Sequence, residues 1–297
     1  MSGLEPTRIT DALLRGWPLP SLAGSNGKED RGRVLVVGGS RHVPGGALLA
    51  AEAALRVGAG KLHVATAASV QTAMAIALPE AKVSAVLEDA AGNLVRLRSR
   101  LEEESAASDA VLVGPGMDAC AASARLARQL ARACKCPLVL DAGALEGFRS
   151  APRLRRGGII TPHFGEMARL LERPVEDIEA APLQIASELA REAGAVVVLK
   201  SPTTYVASPE GQSWVHVDGS VGLGTSGSGD VLAGLIAGLL ARGASLDQAA
   251  VWGVRLHGSA GELLGTRQGP VGFLAREISP EVPRLMAALQ GADESIH

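Results

Sequence analysis

Short apolar runs that end in glycine or a turn residue, each followed by an Ala-rich stretch of helical length, recur along most of the chain. The first is Arg33-Val-Leu-Val-Val-Gly-Gly39. It lacks the polar alternation of a half-exposed strand, so it reads as a parallel strand buried on both faces and running into a glycine turn. A helix is expected from about Gly46 to Arg56, then a strand over Lys61 to Thr66. Further strands are expected near Ala110 to Gly114, Pro137 to Leu140, Gly158 to Ile160 and Ala195 to Leu199. Parallel neighbours need crossover helices, so this alternation specifies an α/β fold: a central, mostly parallel sheet with helices on both faces. Thr204 to Ala207 and Ser213 to Val217, separated by Pro209-Glu-Gly211, read instead as a small hairpin at one edge.

Three Trp, one Tyr and three Phe in 297 residues leave the core to Ala, Val, Leu and Ile. The 36 glycines exceed what turns between helices require, which implies backbone that approaches a ligand closely. So few aromatics cannot stack a row of bases, and 29 basic against 31 acidic residues give no basic footprint. Nucleic acid is therefore not the expected partner; a small molecule is. Cys120, Cys134 and Cys136 suit neither a disulfide framework nor a structural zinc, and point to a reducing cytoplasm. The first ten residues hold no signal-peptide core, and the apolar stretch Val231 to Ala241 stops at Arg242, too short to span a membrane. The expected organisation is a polar lead-in over 1–30, one domain over 31–290 and a frayed tail over 291–297.

The sharpest chemical feature is Gly222-Leu-Gly-Thr-Ser-Gly-Ser-Gly-Asp230, followed at once by an apolar helix. Free amides of the loop and of the helix amino end make a site for phosphate or a developing anion, with Gly227, Ser228 and Gly229 as the expected anion hole. Gly229 should need either a positive φ or a side-chain-free approach to phosphate. Asp230 serves equally well as a plain helix cap, but beside a phosphate loop a carboxylate can also take the proton from an attacking hydroxyl. Gly38-Gly39, Gly114-Pro-Gly116 and Asp141-Ala-Gly143 each end an expected strand, where open α/β sheets bind ligands, and one cleft explains them together. Thr161-Pro-His-Phe-Gly-Glu166 aims His163 at the same rim, and Lys200 ends the next strand. His42, His63, His216, His257 and His297 have no comparable support.

The runs GPGM (114–117), LDAGAL (140–145), TPHFGEMARLL (161–171), VVLK (197–200) and GTSGSGDVLAG (224–234) resemble the ADP-dependent NAD(P)H-hydrate dehydratases of the ribokinase-like superfamily. The resemblance implies a ribokinase-like fold and repair of NADHX or NADPHX, the hydrated forms of NADH and NADPH, with ADP as phosphoryl donor and AMP and phosphate released. It further implies that Ala47, Gly116, His163 and Asp230 contact the hydrate, and that Lys200, Ser201, Pro202, Thr203, Thr204 and Gly229 contact the AMP moiety. Asp230 would be the base. Mg²⁺ is expected mainly on phosphates and water, with Glu166 reaching it through water. The family often occurs fused behind an epimerase domain, so a separate NAD(P)H-hydrate epimerase is the expected functional partner. A homo-oligomer, dimer or tetramer, is expected, and the Ala-rich stretches around Ala119 to Ala133 and Leu48 to Leu55 could either supply its faces or cover the sheet. The competing readings are a ribokinase-like kinase for a hydroxymethylpyrimidine or a sugar, which would share Asp230, and a nucleotide-binding module without turnover.

Phe164 where the family usually has Pro, Ser201-Pro202 where it has Gly after the lysine, and the absence of a family Asn before the glycine run all bear on the nucleotide contacts.

Overall fold

The computed structural model describes residues 5–21, 27–96, 99–150, 154, 157–217 and 219–290; the expected tail over 291–297 lies outside them. Eleven described strands join one open sheet: β1 (Thr7–Arg8), β2 (Arg33–Val37), β3 (Lys61–Ala67), β4 (Lys82–Glu88), β5 (Leu94–Arg96), β6 (Ala110–Val113), β7 (Leu138–Leu140), β8 (Gly158–Ile160), β9 (Val196–Leu199), β10 (Thr204–Ala207) and β11 (Ser213–His216). Their order is β1-β11-β10-β9-β8-β7-β6-β2-β3-β4-β5. The pairs from β4 across to β9 are parallel, while β5, β10 and the β10–β11 pair are antiparallel.

The hairpin lies where expected at one end of the sheet, with only the two-residue β1 outside it. The lead-in does more than precede the sheet. Leu14 on the short helix α1 (Asp11–Arg15) is fully buried, Trp17 stacks on Trp214 at 6.0 Å, and the Trp252 indole donates to the Trp17 carbonyl at 2.9 Å.

Side chains alternate across the central strands. Val34, Val36, Leu112 and Ile159 face one core; Leu35, Val37, Val111 and Ile160 face the other. The first core is covered by α2 (Pro44–Arg56) and by three later helices, Ser228–Ala241, Leu246–Gln268 and Ala275–Gln290. The second is covered by helices that include Ala121–Ala133, Phe164–Leu171 and Pro182–Ala193. Pro44 supplies the start of α2, since its fixed φ and missing N–H suit a first helical turn. Of the two roles open to the Ala-rich stretches, covering the sheet is the one observed: α2 buries Ala47, Ala50, Ala51 and Ala54, and Ala121–Ala133 buries Leu126 and Leu130.

The missing aromatics are replaced by backbone proximity. A Cβ on Gly234 would lie 2.1 Å from the Ala50 carbonyl oxygen, and one on Gly238 2.6 Å from that of Ala54. The helix Ser228–Ala241 therefore lies directly on the alanine face of α2, which fixes its amino end against the sheet. Gly234→Ala is expected to lose about 3 kcal/mol in urea unfolding, because forced separation of two packed helices outweighs the roughly 1 kcal/mol gained in helix propensity. An unchanged unfolding midpoint would contradict this packing.

Candidate active site

Five parallel strands end at one rim, and each delivers part of the site. After β2 the chain turns at Gly39, with φ 75°, and the Gly39 carbonyl accepts from the Thr66 hydroxyl at 2.8 Å. After β6, Gly116 has φ 65°, and a Cβ there would lie 2.2 Å from the Val43 carbonyl oxygen. A Cβ on Gly46 would lie 2.4 Å from the Gly116 nitrogen and 3.1 Å from Asp230 Oδ1. These glycines let α2, the β6 turn and Asp230 meet without intervening side chains.

β7 ends at Asp141, which is buried and whose Oδ1 accepts from Thr161 Oγ1 at 2.7 Å and from Lys200 Nζ at 2.8 Å. Lys200 follows β9 and also lies 3.8 Å from Glu166 Oε2. Burial alone would depress its ammonium, but Asp141, Glu166 and Asp230 outweigh that and hold it above its usual value. Lys200 therefore remains a fixed positive charge at the centre of the rim.

His163, after β8, caps the helix Phe164–Leu171. Its Nδ1 accepts from the amides of Gly165 at 3.0 Å and Glu166 at 3.3 Å, while Glu166 Oε2 accepts from the His163 amide at 2.8 Å. The His-Phe-Gly-Glu spacing thus forms a reciprocal capping box, with an imidazole nitrogen where serine usually stands. Glu166 Oε2 is committed to that cap, and its Oε1 lies 3.6 Å from His163 Nε2. Among the described residues, no three His, Cys, Asp or Glu side chains gather as a metal-ligand set.

Asp230 sits in the first turn of Ser228–Ala241, behind Gly227 with φ 88°. Burial pushes its carboxyl up to about 7, repulsion from Asp141 adds to the rise, and Lys200 and a hydrogen bond from the Gly116 amide oppose it. An ordinary aspartate would be too weak a base for an alcohol. One with this proton affinity is still half ionised near neutrality and accepts a proton far more readily.

The expected hydrate group of Ala47, Gly116 and Asp230 comes together on the α2 side of this turn, with Ala47 fully buried beneath the Gly38-Gly39 turn. A cavity of about 490 Å³ takes Lys200, Ser201, Pro202, Thr204, Ser228 and Gly229 into its wall. Thr203 and Gly227 are not part of that wall, although the Thr203 carbonyl accepts from the Ser201 hydroxyl and closes the turn after Lys200. His163, expected on the hydrate side, lines the cavity beside Lys200, to which its strand end is paired.

Of the two demands expected at Gly229, space is the one that applies, since a Cβ would lie 3.1 Å from Lys200 Nζ and the positive φ falls on Gly227. Two details differ from expectation. The Ser228 amide turns back to the Thr225 carbonyl at 3.3 Å, so it is not a free member of an anion hole. His216 and His257, set aside as unsupported, both line the cavity, and His257 lies against Ser228. Gly258, in mid-helix beside His257, leaves the room that His216 occupies: a Cβ there would lie 2.1 Å from His216 Nε2.

An open, mostly parallel sheet with helices on both faces, and a carboxylate in the first turn of a glycine-led helix at the strands' C-terminal rim, define a ribokinase-like protein. The family model for NAD(P)H-hydrate dehydratase matches residues 34–284. An ADP-dependent (S)-NAD(P)H-hydrate dehydratase of Xanthomonas campestris is 50% identical over 97% of this chain and 99% of that one. A bifunctional NAD(P)H-hydrate repair enzyme of Thermofilum pendens is 34% identical over 99% of this chain and 57% of its own length. The crystal structure of the ADP/ATP-dependent NAD(P)H-hydrate dehydratase of Bacillus subtilis, co-crystallized with ATP/Mg²⁺, superposes with a TM-score of 0.83 at 30% identity, covering 96% of this chain and 99% of that one. The chain belongs to the NAD(P)H-hydrate dehydratase family.

Proposed function

We propose that this chain repairs NADHX and NADPHX by ADP-dependent dehydration, a carbon–oxygen lyase reaction that returns NADH or NADPH and releases AMP and phosphate. The observation that carries the reading is Asp230: a carboxylate of raised proton affinity at a helix amino end, next to a glycine-lined surface and a cavity of nucleotide size.

The hydrate would lie on the Ala47 and Gly116 side with its ring hydroxyl at Asp230, and His163 would meet it from the cavity wall beside Lys200. Lys200 to Thr204 and Gly229 would hold the AMP moiety, so that the β-phosphate reaches the amino end of the helix. Asp230 takes the hydroxyl proton, the oxygen attacks the β-phosphorus, and the bond to the bridging oxygen breaks, releasing AMP. The new phosphate ester is a good leaving group. The ring nitrogen lone pair expels it, and loss of a proton from the adjacent carbon completes the double bond. Lys200 and the helix amino end stabilise charge on the transferring phosphoryl group. Mg²⁺ fits as an ion carried by the phosphates, with Glu166 reaching it through water because its Oε2 is committed to the cap. There it would neutralise phosphate charge.

The test is incubation with NADHX, Mg²⁺ and either ADP or ATP. The expected result is return of the reduced-ring absorbance together with AMP and free phosphate. Phosphate retained as an ester on an added alcohol substrate would instead mark a kinase, and nucleotide binding without turnover a sensing module.

We further propose a separate NAD(P)H-hydrate epimerase as functional partner, by analogy with the bifunctional relatives. A cytoplasmic site of action is supported by three free cysteines, and no described helix is long and apolar enough to cross a membrane. A homo-oligomer, dimer or tetramer, is proposed because closed two-fold assemblies dominate among soluble oligomers. Light scattering should give two or four times the 30.3 kDa chain mass; the mass of one chain would contradict it.

A further inference from the structure

His257 lies on the long helix Leu246–Gln268 and closes the wall of the cavity behind Ser228. Its Nε2 is 2.9 Å from the Ser228 hydroxyl oxygen and 3.0 Å from the Ser228 carbonyl oxygen. A carbonyl oxygen can only accept, so the hydrogen of that contact must be on Nε2. The imidazole is neutral, because burial pushes its pKa down to about 4. A neutral ring carries one ring proton, and here it is spent on Nε2. The Ser228 hydroxyl then cannot donate to that nitrogen. It receives from it, and its own proton is free to point elsewhere.

The direction left to it matters, because the Ser228 amide already turns back to the Thr225 carbonyl. Ser228 therefore has its side chain, rather than its amide, to offer an anion at this helix end. Ser228 is buried and lines the same cavity as Lys200 and Gly229, and a Cβ built on Gly229 would lie 3.1 Å from the lysine ammonium. A hydroxyl donor beside that ammonium complements phosphate oxygens, and a hydroxyl whose lone pairs faced outward would repel them.

We propose that His257 is a positioning residue: by donating Nε2–H to both Ser228 oxygens, it commits the Ser228 hydroxyl to act as a donor to the phosphate of the bound nucleotide. This rests on the reading above, in which the nucleotide's phosphates lie at the amino end of Ser228–Ala241. His257 lines the cavity, but the role assigned to it lies away from the reacting atoms. It acts through the serine, and it stays neutral while doing so, which suits a group behind an anion site that Lys200 already charges.

The test uses calorimetric binding of ADP and of adenosine, with thermal unfolding of each variant as a control. His257→Leu keeps the bulk and cannot donate, whereas His257→Gln presents an amide N–H in its place. Loss of one hydrogen bond to a charged group should weaken ADP roughly 10-fold or more in His257→Leu. Adenosine, which has no phosphate, should change less than about 2-fold, and His257→Gln should recover most of the ADP affinity. Ser228→Ala should match His257→Leu, and the double variant should be no weaker than either single one, because both remove the same donor. Should His257→Leu not fold, His257→Phe, which likewise cannot donate, takes its place in the same ADP-against-adenosine contrast.

Undiminished ADP binding in either Ser228→Ala or His257→Leu overturns the assignment, as does an equal loss for ADP and adenosine, or additive losses in the double variant. Wild-type protein that binds no ADP overturns the functional reading and this assignment with it. Wild-type binding beside an unaffected Ser228→Ala overturns this assignment alone.

Discussion

Asp230→Asn should lose at least ~100-fold in turnover and at the same time become more stable at pH 8. Asparagine keeps the size of the side chain and can still accept from the Gly116 amide, but it cannot take a proton. A positioned general base contributes roughly 10²–10⁴-fold, which sets the scale of the loss. The stability change follows from the raised proton affinity. The folded value of about 7 lies above the unfolded carboxylate value, so the folded state holds this proton more tightly. The stability that protonation confers is complete below about pH 4 and is lost as pH rises through 7. Above that, the ionised carboxylate costs the fold up to about 4 kcal/mol, from three pKa units at 1.36 kcal/mol each. The asparagine variant escapes that cost. Its advantage in urea midpoint should be largest at pH 8 and shrink as pH falls towards 4. All other titrating groups are common to both proteins, so the difference isolates this one. Wild-type turnover should correspondingly rise with pH through about 7. Near-normal turnover in the variant would remove Asp230 as the base, and a pH-independent stability difference would show that it ionises normally.

The cost of ionising Asp230 arises from contacts that are only partly legible in the chain. Arg33–Val37 and Ala110–Val113 can be read as strands because both of their faces are buried, and the run of apolar residues records that directly. Lys82–Glu88 escapes the same reading: it lies near the other end of the sheet and is mostly half-exposed, so polar residues interrupt the run. Thr7–Arg8 is too short to carry a period at all. The site divides in the same way. His163, Lys200 and Asp230 follow strand ends or glycine turns, and those punctuation marks are local. His257 has no such mark, because its place behind Ser228 depends on how one long helix packs across another. The capping role of Glu166 is local, four residues in all, yet it is concealed because histidine rather than serine fills the cap position. The Asp141–Lys200 pair spans 59 residues and exists only because β7, β8 and β9 are neighbours in the sheet. That pair is what separates the two helix glycines in consequence: Gly234 answers to packing, Gly229 to charge and ligand.

Gly229→Val should therefore abolish measurable ADP binding while leaving the ligand-free fold nearly as stable as before. The backbone at Gly229 has no positive φ, so valine meets no strain there, and leaving glycine inside a helix gains a few tenths of a kcal/mol. A Cβ at this position meets no backbone atom within 4 Å; its nearest neighbour is Lys200 Nζ at 3.1 Å. The lysine can yield only by loosening its 2.8 Å contact with Asp141, and the valine methyls then stand in the wall of the cavity where phosphate has to approach the helix amides. Steric exclusion of a phosphate and displacement of its counter-charge act together, so a loss beyond ~100-fold in affinity is expected. The contrast with Gly234→Ala is the control. That change adds one methyl against the Ala50 carbonyl and should unfold the protein at lower urea, whereas Gly229→Val adds three carbons and should move the unfolding midpoint by less than about 1 kcal/mol. Calorimetry with ADP and urea unfolding of both variants make the comparison. Undiminished ADP affinity in Gly229→Val would place the nucleotide's phosphates away from this turn and leave the cavity without its proposed occupant.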